Sequence, residues 1–417
     1  MLEALPGSSR VMAEHSARNT MPESQDSAAS SGPAGHGSLR ELALFFLRLG
    51  TTAFGGPAAH IAIMEDELVR RRRWLSREKF LDLLGASNLI PGPSSSELAI
   101  HIGYLRAGWT GLLVAGTCFI LPAAAMVAAL AWTYVRYSAL PAMAAVLYGI
   151  KPVVIAVVLQ ALWGLGRAAL RNNYLGIVGA LSLVVAFFGF HPLLLLLAAG
   201  LAACLPLLRT TRPVAIALPS LTAAAAGIAG AKTSFSLGSL FLVFLKIGAV
   251  VFGSGYVLLA FLRADLVAQR GWLTDAQLVD AIAVGQVTPG PVFTTATFIG
   301  YLVAGLRGAI VATIGIFLPA FLLVAASGPL VPRIRKSKLV GAFLDGVNVG
   351  SLALMALVTF QLARTSLTDA VTIVLTVASF FVLLRFRWNS AWLILIGALV
   401  GLLTKVPIVY ATRFARF

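Results

Sequence analysis

Residues 54–60 read "FGGPAAH" and residues 252–258 read "FGSGYVL", and each stretch interrupts an apolar run. Glycine loosens the backbone and proline removes a helix donor, so both are poor material for a helix that must satisfy its own backbone in lipid. The chain therefore breaks a helix twice, at matching places 198 residues apart.

The surrounding sequence is duplicated at the same offset. Between Gly50–Pro93 and Gly248–Pro291, 13 of 44 positions are identical, among them Gly50/Gly248, Phe54/Phe252, Arg72/Arg270, Trp74/Trp272, Asp82/Asp280 and a complete "PGP". One residue is then lost. Gly103-Tyr104 meets Gly300-Tyr301, Leu121-Pro122 meets Leu318-Pro319, and Arg167 meets Arg364. Apolar bias alone does not align glycine, proline, tryptophan and arginine together, so the chain is an internal repeat.

Composition decides the solvent. Of 417 residues, 59% are hydrophobic and 12% are charged, against about 25% charged in soluble domains. Uncharged runs such as Gly111–Trp132 and Gly308–Val331 are long enough to cross a hydrocarbon core of about 30 Å. The net charge of +16 does not signal nucleic acid, because most Lys and Arg lie in short connections between apolar runs, as cytoplasmic loops require. The two cysteines, Cys118 and Cys204, sit in apolar segments without metal or redox spacing. Residues 1–38 are polar and rich in Ser, Ala and Gly, with no apolar core of a signal peptide, and read as a disordered tail.

These features predict an all-α polytopic membrane protein built as an inverted tandem repeat with broken, re-entrant helices. About six hydrophobic segments are expected in each half, with a connecting transmembrane segment between them, about thirteen in all. The expected organisation is a tail (1–38), a first repeat (39–209), the connecting segment (210–236) and a second repeat (237–417). An odd number of crossings between equivalent positions inverts the halves, an architecture of secondary transporters. The basic loop Glu65–Lys79 carries six Lys and Arg. It falls on the cytoplasmic side if the segments around "GGP" and "PGP" turn back, and outside if every segment crosses. The charge pattern thus favours re-entrance, a cytoplasmic N-terminus and a periplasmic C-terminus.

The candidate substrate site follows from the breaks. Gly55, Gly56 and Pro57 in the first half, and Gly253, Ser254 and Gly255 in the second, place non-helical backbone at membrane depth. Pro91, Gly92 and Pro93 precede Ser94, Ser95 and Ser96, and Pro289, Gly290 and Pro291 precede Thr294 and Thr295. Each PGP ends one half-helix and starts another, whose N-terminus is an anion site with hydroxyls beside it. Ser94 and Glu97 have capping-box spacing. Arg48 and Lys246 are equivalent cations within apolar segments, where charges usually face an interior or a cavity. Two cations and several half-helix N-termini suit a small dianion. Lys151 is a third buried cation, with Asn348 as its equivalent and Asp345 one turn away; its role is structural or functional. Glu97, His60 and His101 are the titratable groups near the site and the candidates for proton coupling. No HExxH, GxSxG or CxxC occurs, and no enzyme, metal or cofactor is expected.

The phrases "FGGPAAHIAIMEDELV" and "NLIPGP" followed by "GY", repeated along the chain, resemble the bidomain chromate ion transporter family from residue 40 onward. The resemblance implies export of chromate across the bacterial cytoplasmic membrane and chromate resistance, with sulfate, an isosteric dianion, as the natural competitor. A homodimer in the lipid bilayer is compatible with it. The family's FGGPxxH phrase falls on Phe54, Gly55, Gly56, Pro57 and His60, whereas the second half departs from it at Ser254, Gly255 and Leu258. Any role of the proline or the histidine is therefore expected to differ between the halves. Uptake of sulfate or another oxyanion by the same architecture, and a membrane scaffold that transports nothing, are the competing readings.

Overall fold

A computed structural model describes residues 39–137, 140–210, 235–252, 257–327, 337–386 and 388–414. The expected tail, most of the connecting segment (211–234) and Gly253, Ser254 and Gly255 lie outside these residues. The described residues hold 14 α-helices and no strand.

The helices repeat in matched order. The first half contains α1 (Leu39–Thr52), α2 (Gly56–Glu65), α3 (Arg77–Ser87), α4 (Ser94–Tyr137), α5 (Pro141–Ala169), α6 (Asn173–Phe187) and α7 (Pro192–Thr210). The second contains α8 (Leu237–Val250), α9 (Leu258–Leu262), α10 (Asp275–Val287), α11 (Thr295–Ser327), α12 (Lys338–Ser366), α13 (Ala370–Phe386) and α14 (Ser390–Phe414). Even the irregularities are duplicated. A π-helical turn extends α2 over Asp66–Arg71 and another extends α9 over Arg263–Gln269. Ser76 and Thr274 cap α3 and α10 through side-chain oxygens that accept from Lys79 and Gln277 backbone N–H.

Four helices, α4, α5, α11 and α12, are long and apolar enough to cross a membrane, and α6, α7, α8, α13 and α14 are shorter apolar helices. Two of the four are folded. In α4 the backbone turns at Ala107 (φ −145°) and Gly108 (φ 58°), and in α11 at Ala304 (φ −145°) and Gly305 (φ 60°). Gly103 then lies against Gly111, and Gly300 against Gly308. Residues eight apart in a straight helix are about 12 Å distant, so each element is a hairpin of a short leg and a long leg. The glycine of each "GY" allows the legs to touch: a Cβ at Gly103 or Gly300 would collide with the facing backbone. The outer surface carries large exposed apolar side chains, including Leu121, Phe187, Leu242, Phe381 and Leu403, as lipid contact demands and water does not tolerate.

The halves are interlocked. Helix α5 of the first half packs on α13 and α14 of the second, α12 packs on α6 and α7, and α4 packs on α11. Small residues make the crossings close. Gly149 faces Gly397 and Gly401 between α5 and α14, and the equivalent Gly346 faces Ala199 and Ala203 between α12 and α7. The long-helix crossing thus depends on absent side chains. Gly149→Leu should destabilise the protein by about 1–3 kcal/mol or more through overpacking. Gly176→Leu should be near neutral, because its Cβ would meet nothing within 4 Å. Thermal unfolding of the two variants in detergent checks this; equal melting temperatures would mean the crossing is loose.

Candidate functional site: an inter-repeat cleft at the helix breaks

The breaks of the two halves hold each other. Gly92 N–H donates to Val251 O at 2.7 Å, and Gly290 N–H donates to Ala53 O at 3.0 Å. Gly92 and Gly290 are the glycines of the two PGP turns, and Ala53 and Val251 are the equivalent residues ahead of the two glycine breaks. The contact is reciprocal, as in an isologous interface. Each PGP glycine has positive φ, 141° for Gly92 and 91° for Gly290, a conformation that favours glycine. A Cβ on Gly290 would press on Ala123, and one on Gly92 would collide with the Glu97 carboxyl.

His60 strengthens only one of these junctions. Its Nε2 lies 3.1 Å from Ala53 O and its Nδ1 3.4 Å from Ser95 Oγ. A carbonyl can only accept, so Nε2 carries the hydrogen and Nδ1 accepts from the serine. Ala53 O thereby receives Gly290 N–H and His60 together. In the second half Leu258 stands in place of His60, and no such tie is made.

Beside this junction lies a cleft of about 450 Å³. Pro57, Ala58 and Ile61 of the first turns of α2, Asn88 at the end of α3 and Ser94 at the start of α4 form one wall. Asp345, Asn348 and Ser351 of α12 form another, and Phe252 and Val257 flank the second break. Arg171 lies 3.6 Å from Asp345 at the rim, with its side chain 69% exposed. Ser351 is buried and its Oγ has no hydrogen-bond partner. Two helix N-termini, the Ser351 hydroxyl, two amides and the Arg171 guanidinium bring donors to the cleft, beside the Asp345 carboxylate and an otherwise apolar lining.

The residues expected at the site divide among several surroundings. Ser94 and Pro57 line the cleft. Ser95 is bound to His60, and Ser96 is buried with an unpartnered hydroxyl. Thr294 and Thr295 direct their hydroxyls to Pro291 O at 2.7 Å and Val292 O at 2.8 Å, closing the start of α11 instead of facing a ligand. The capping box expected of Ser94 and Glu97 is not formed. The carbonyl of Pro93 receives the N–H groups of Ser96 and Glu97, so Glu97 sits too far along the helix to reach back, and neither of its oxygens has a partner. His101 is buried, with Nε2 unpartnered.

Arg48 and Lys246 are not brought together. Arg48 is exposed in a separate charged cleft with Thr52, Asp66, Glu67, Arg71 and Arg72. Lys246 Nζ is 2.5 Å from Asp265 Oδ1, with side chains 16% and 4% exposed. The acid is the same in both halves: Glu67 and Asp265 are equivalent, each nineteen residues after its cation. Only the second half uses that spacing for an ion pair, since Glu67 is held by Arg71 and Arg72. Lys151 pairs at 3.3 Å with Asp280, which also accepts from Tyr134 at 3.0 Å. Asp345 serves Arg171 and neutralises neither Arg48 nor Lys246. Asn88, Arg171 and Ser351 carried no motif; only the packing of α12 on the breaks brings them to the cleft.

The chromate transporter family matches residues 40–204 and again 238–402. The chain is 36% identical over 373 residues to the chromate transport protein of Cupriavidus metallidurans, covering 88% of this chain and 93% of that one. It is 35% identical to the probable chromate transport protein of Synechococcus elongatus, covering 80% and 87%. It is 32% identical to the chromate transport protein of Pseudomonas aeruginosa, covering 85% and 90%. No solved structure matches. With both repeats matched, this chain, a helical membrane protein, belongs to the chromate transporter family.

Proposed function

We propose that this chain exports chromate across the bacterial cytoplasmic membrane and so confers resistance, binding the dianion in the cleft beside the reciprocal glycine junction. The observation that carries this reading is the position of the cleft: it opens where the broken helices of one half meet α12 of the other. The three relatives named as chromate transport proteins point to the same ion. An inside-negative potential favours export. Each charge crossing 100 mV is worth about 2.3 kcal/mol, so a dianion gains about 4.6 kcal/mol on leaving.

In this reading the halves are inverted, and the short helices before each PGP re-enter instead of crossing. Helix α1 has 14 residues, α2 has 10 and α3 has 11, each short of the roughly 20 that a span needs. The N-terminus and the loop Glu65–Lys79 then lie in the cytoplasm and the C-terminus in the periplasm. Arg48 and Lys246 are the matched cations of the ion path, each beside the acid nineteen residues on, and not two ligands of one ion.

Three measurements test this. Labelled chromate should accumulate in everted vesicles and be displaced by excess sulfate; flux only into right-side-out vesicles would make the protein an uptake carrier. Ser76→Cys, in a background lacking Cys118 and Cys204, should resist an impermeant thiol reagent added outside intact cells; strong labelling would mean that the segments before it cross. Lys246→Ala should cost about 3–5 kcal/mol of stability by leaving Asp265 buried and unpaired. Adding Asp265→Asn should restore much of that stability but not the flux. A double variant with full flux would make the pair purely structural.

A further inference from the structure

Glu97 is the one site carboxyl that the architecture does not explain. Its side chain is fully buried and neither oxygen has a hydrogen-bond partner. It follows Ser94, which lines the cleft, by one helical turn. Its carboxyl lies against Gly92, whose N–H bridges the two halves. We propose that the oxyanion site takes up a proton together with its anion, and that Glu97 holds that proton. The inference rests on the cleft being the substrate site.

A bare carboxylate in such surroundings carries a desolvation penalty that nothing here repays, so the group is the neutral acid in this conformation. Even the acid leaves a buried O–H unmatched, and an orphan polar group in a native structure calls for a reason. Packing supplies none. The equivalent segment of the second half begins with Thr294 and Thr295, which satisfy themselves within their own turn. A glutamate is thus not what a PGP turn requires.

Most of the other charged and titratable groups around it are engaged elsewhere, Asp345 of the cleft with Arg171 among them. His60 on α2 has both ring nitrogens engaged. Asp280 on α10 is held by Lys151 and Tyr134. Asp82 on α3 and Glu41 on α1 have interactions of their own. Arg48 on α1 faces the separate charged cleft. Helix α11 carries Tyr301 on its short leg and Arg307 beside its hairpin turn. His101, one turn further along α4, has an unpartnered Nε2, and Arg106 stacks on Trp74.

The consequence is electrostatic. An ionised Glu97 one turn from Ser94 would repel a dianion in the cleft, whereas the protonated form would not. Anion and proton therefore load together and leave together when the junction opens to water. The proton comes from water on the loading side and returns to water on the other, and the net charge moved falls from two to one.

The test is anion binding to the purified protein in nanodiscs, with sulfate as the probe because it stays a dianion throughout. Binding is measured calorimetrically between pH 6 and 9 in buffers of different ionisation enthalpy. Affinity should weaken with rising pH, approaching about tenfold per unit once the site is deprotonated, with one proton taken up per anion there. Glu97→Gln should bind with little pH dependence and no proton uptake, and Glu97→Asp should keep both. Wild-type binding without proton uptake overturns the proposal, and so does a pH profile that survives in Glu97→Gln. If Glu97→Gln does not fold, Glu97→Asp takes its place: the pH profile should shift with proton uptake kept, and an unshifted profile overturns the proposal. If neither sulfate nor chromate above pH 8 binds at all, the substrate reading fails and this one with it; binding without proton uptake sinks only the role of Glu97.

Discussion

Two hydrogen bonds, Gly92 N–H to Val251 O and Gly290 N–H to Ala53 O, set the rest of the structure. A broken helix in a membrane leaves backbone groups that lipid cannot satisfy. Each half ends that problem with the carbonyl or amide of the other half, so neither set of breaks is complete alone. The requirement propagates outward. The PGP glycines must lack side chains to come this close, the short legs of α4 and α11 must begin there, and those legs must fold back at Ala107–Gly108 and Ala304–Gly305 to continue into membrane-length helices.

Much of this was legible in the sequence. The duplication exposed the paired breaks, the paired PGP turns and the paired "GY" phrases, because glycine and proline mark backbone events that apolar composition cannot imitate. What the sequence hid was their use. "GY" is a hairpin contact, a fact that needs the distance between Gly103 and Gly111. The exchange of α5 and α12 between halves was also invisible, since a duplicated pattern reads the same whether each half packs on itself or on its neighbour.

The candidate site was legible where the backbone makes it and illegible where side chains do. Pro57 and Ser94, marked by the breaks, both line the cleft. Arg48 and Lys246 do not share it: Lys246 is held by Asp265, while Glu67, the equivalent acid of the first half, is held by Arg71 and Arg72. Burying a lone ammonium is costly, and the pairing at 2.5 Å removes that cost for Lys246. Arg48 escapes the need by being exposed.

The halves share a backbone but not a chemistry. The positions matching Asn348 and Ser351 in the cleft are Lys151 and Val154 in the first half. Lys151 is tied to Asp280 and Tyr134, and Val154 is buried in the core. Ser351 keeps an unspent hydroxyl, while the ion pair at the matching place spends its charges on structure. His60 repeats the pattern: it reinforces the Ala53 junction, while Leu258, in its place, cannot do so for the Val251 junction. A duplication first yields two equal halves. Here α12 brings Asp345, Asn348 and Ser351 to the cleft, while its counterpart α5 spends Lys151 on an ion pair and gives the cleft only the apolar Leu165, Ala168 and Ala169.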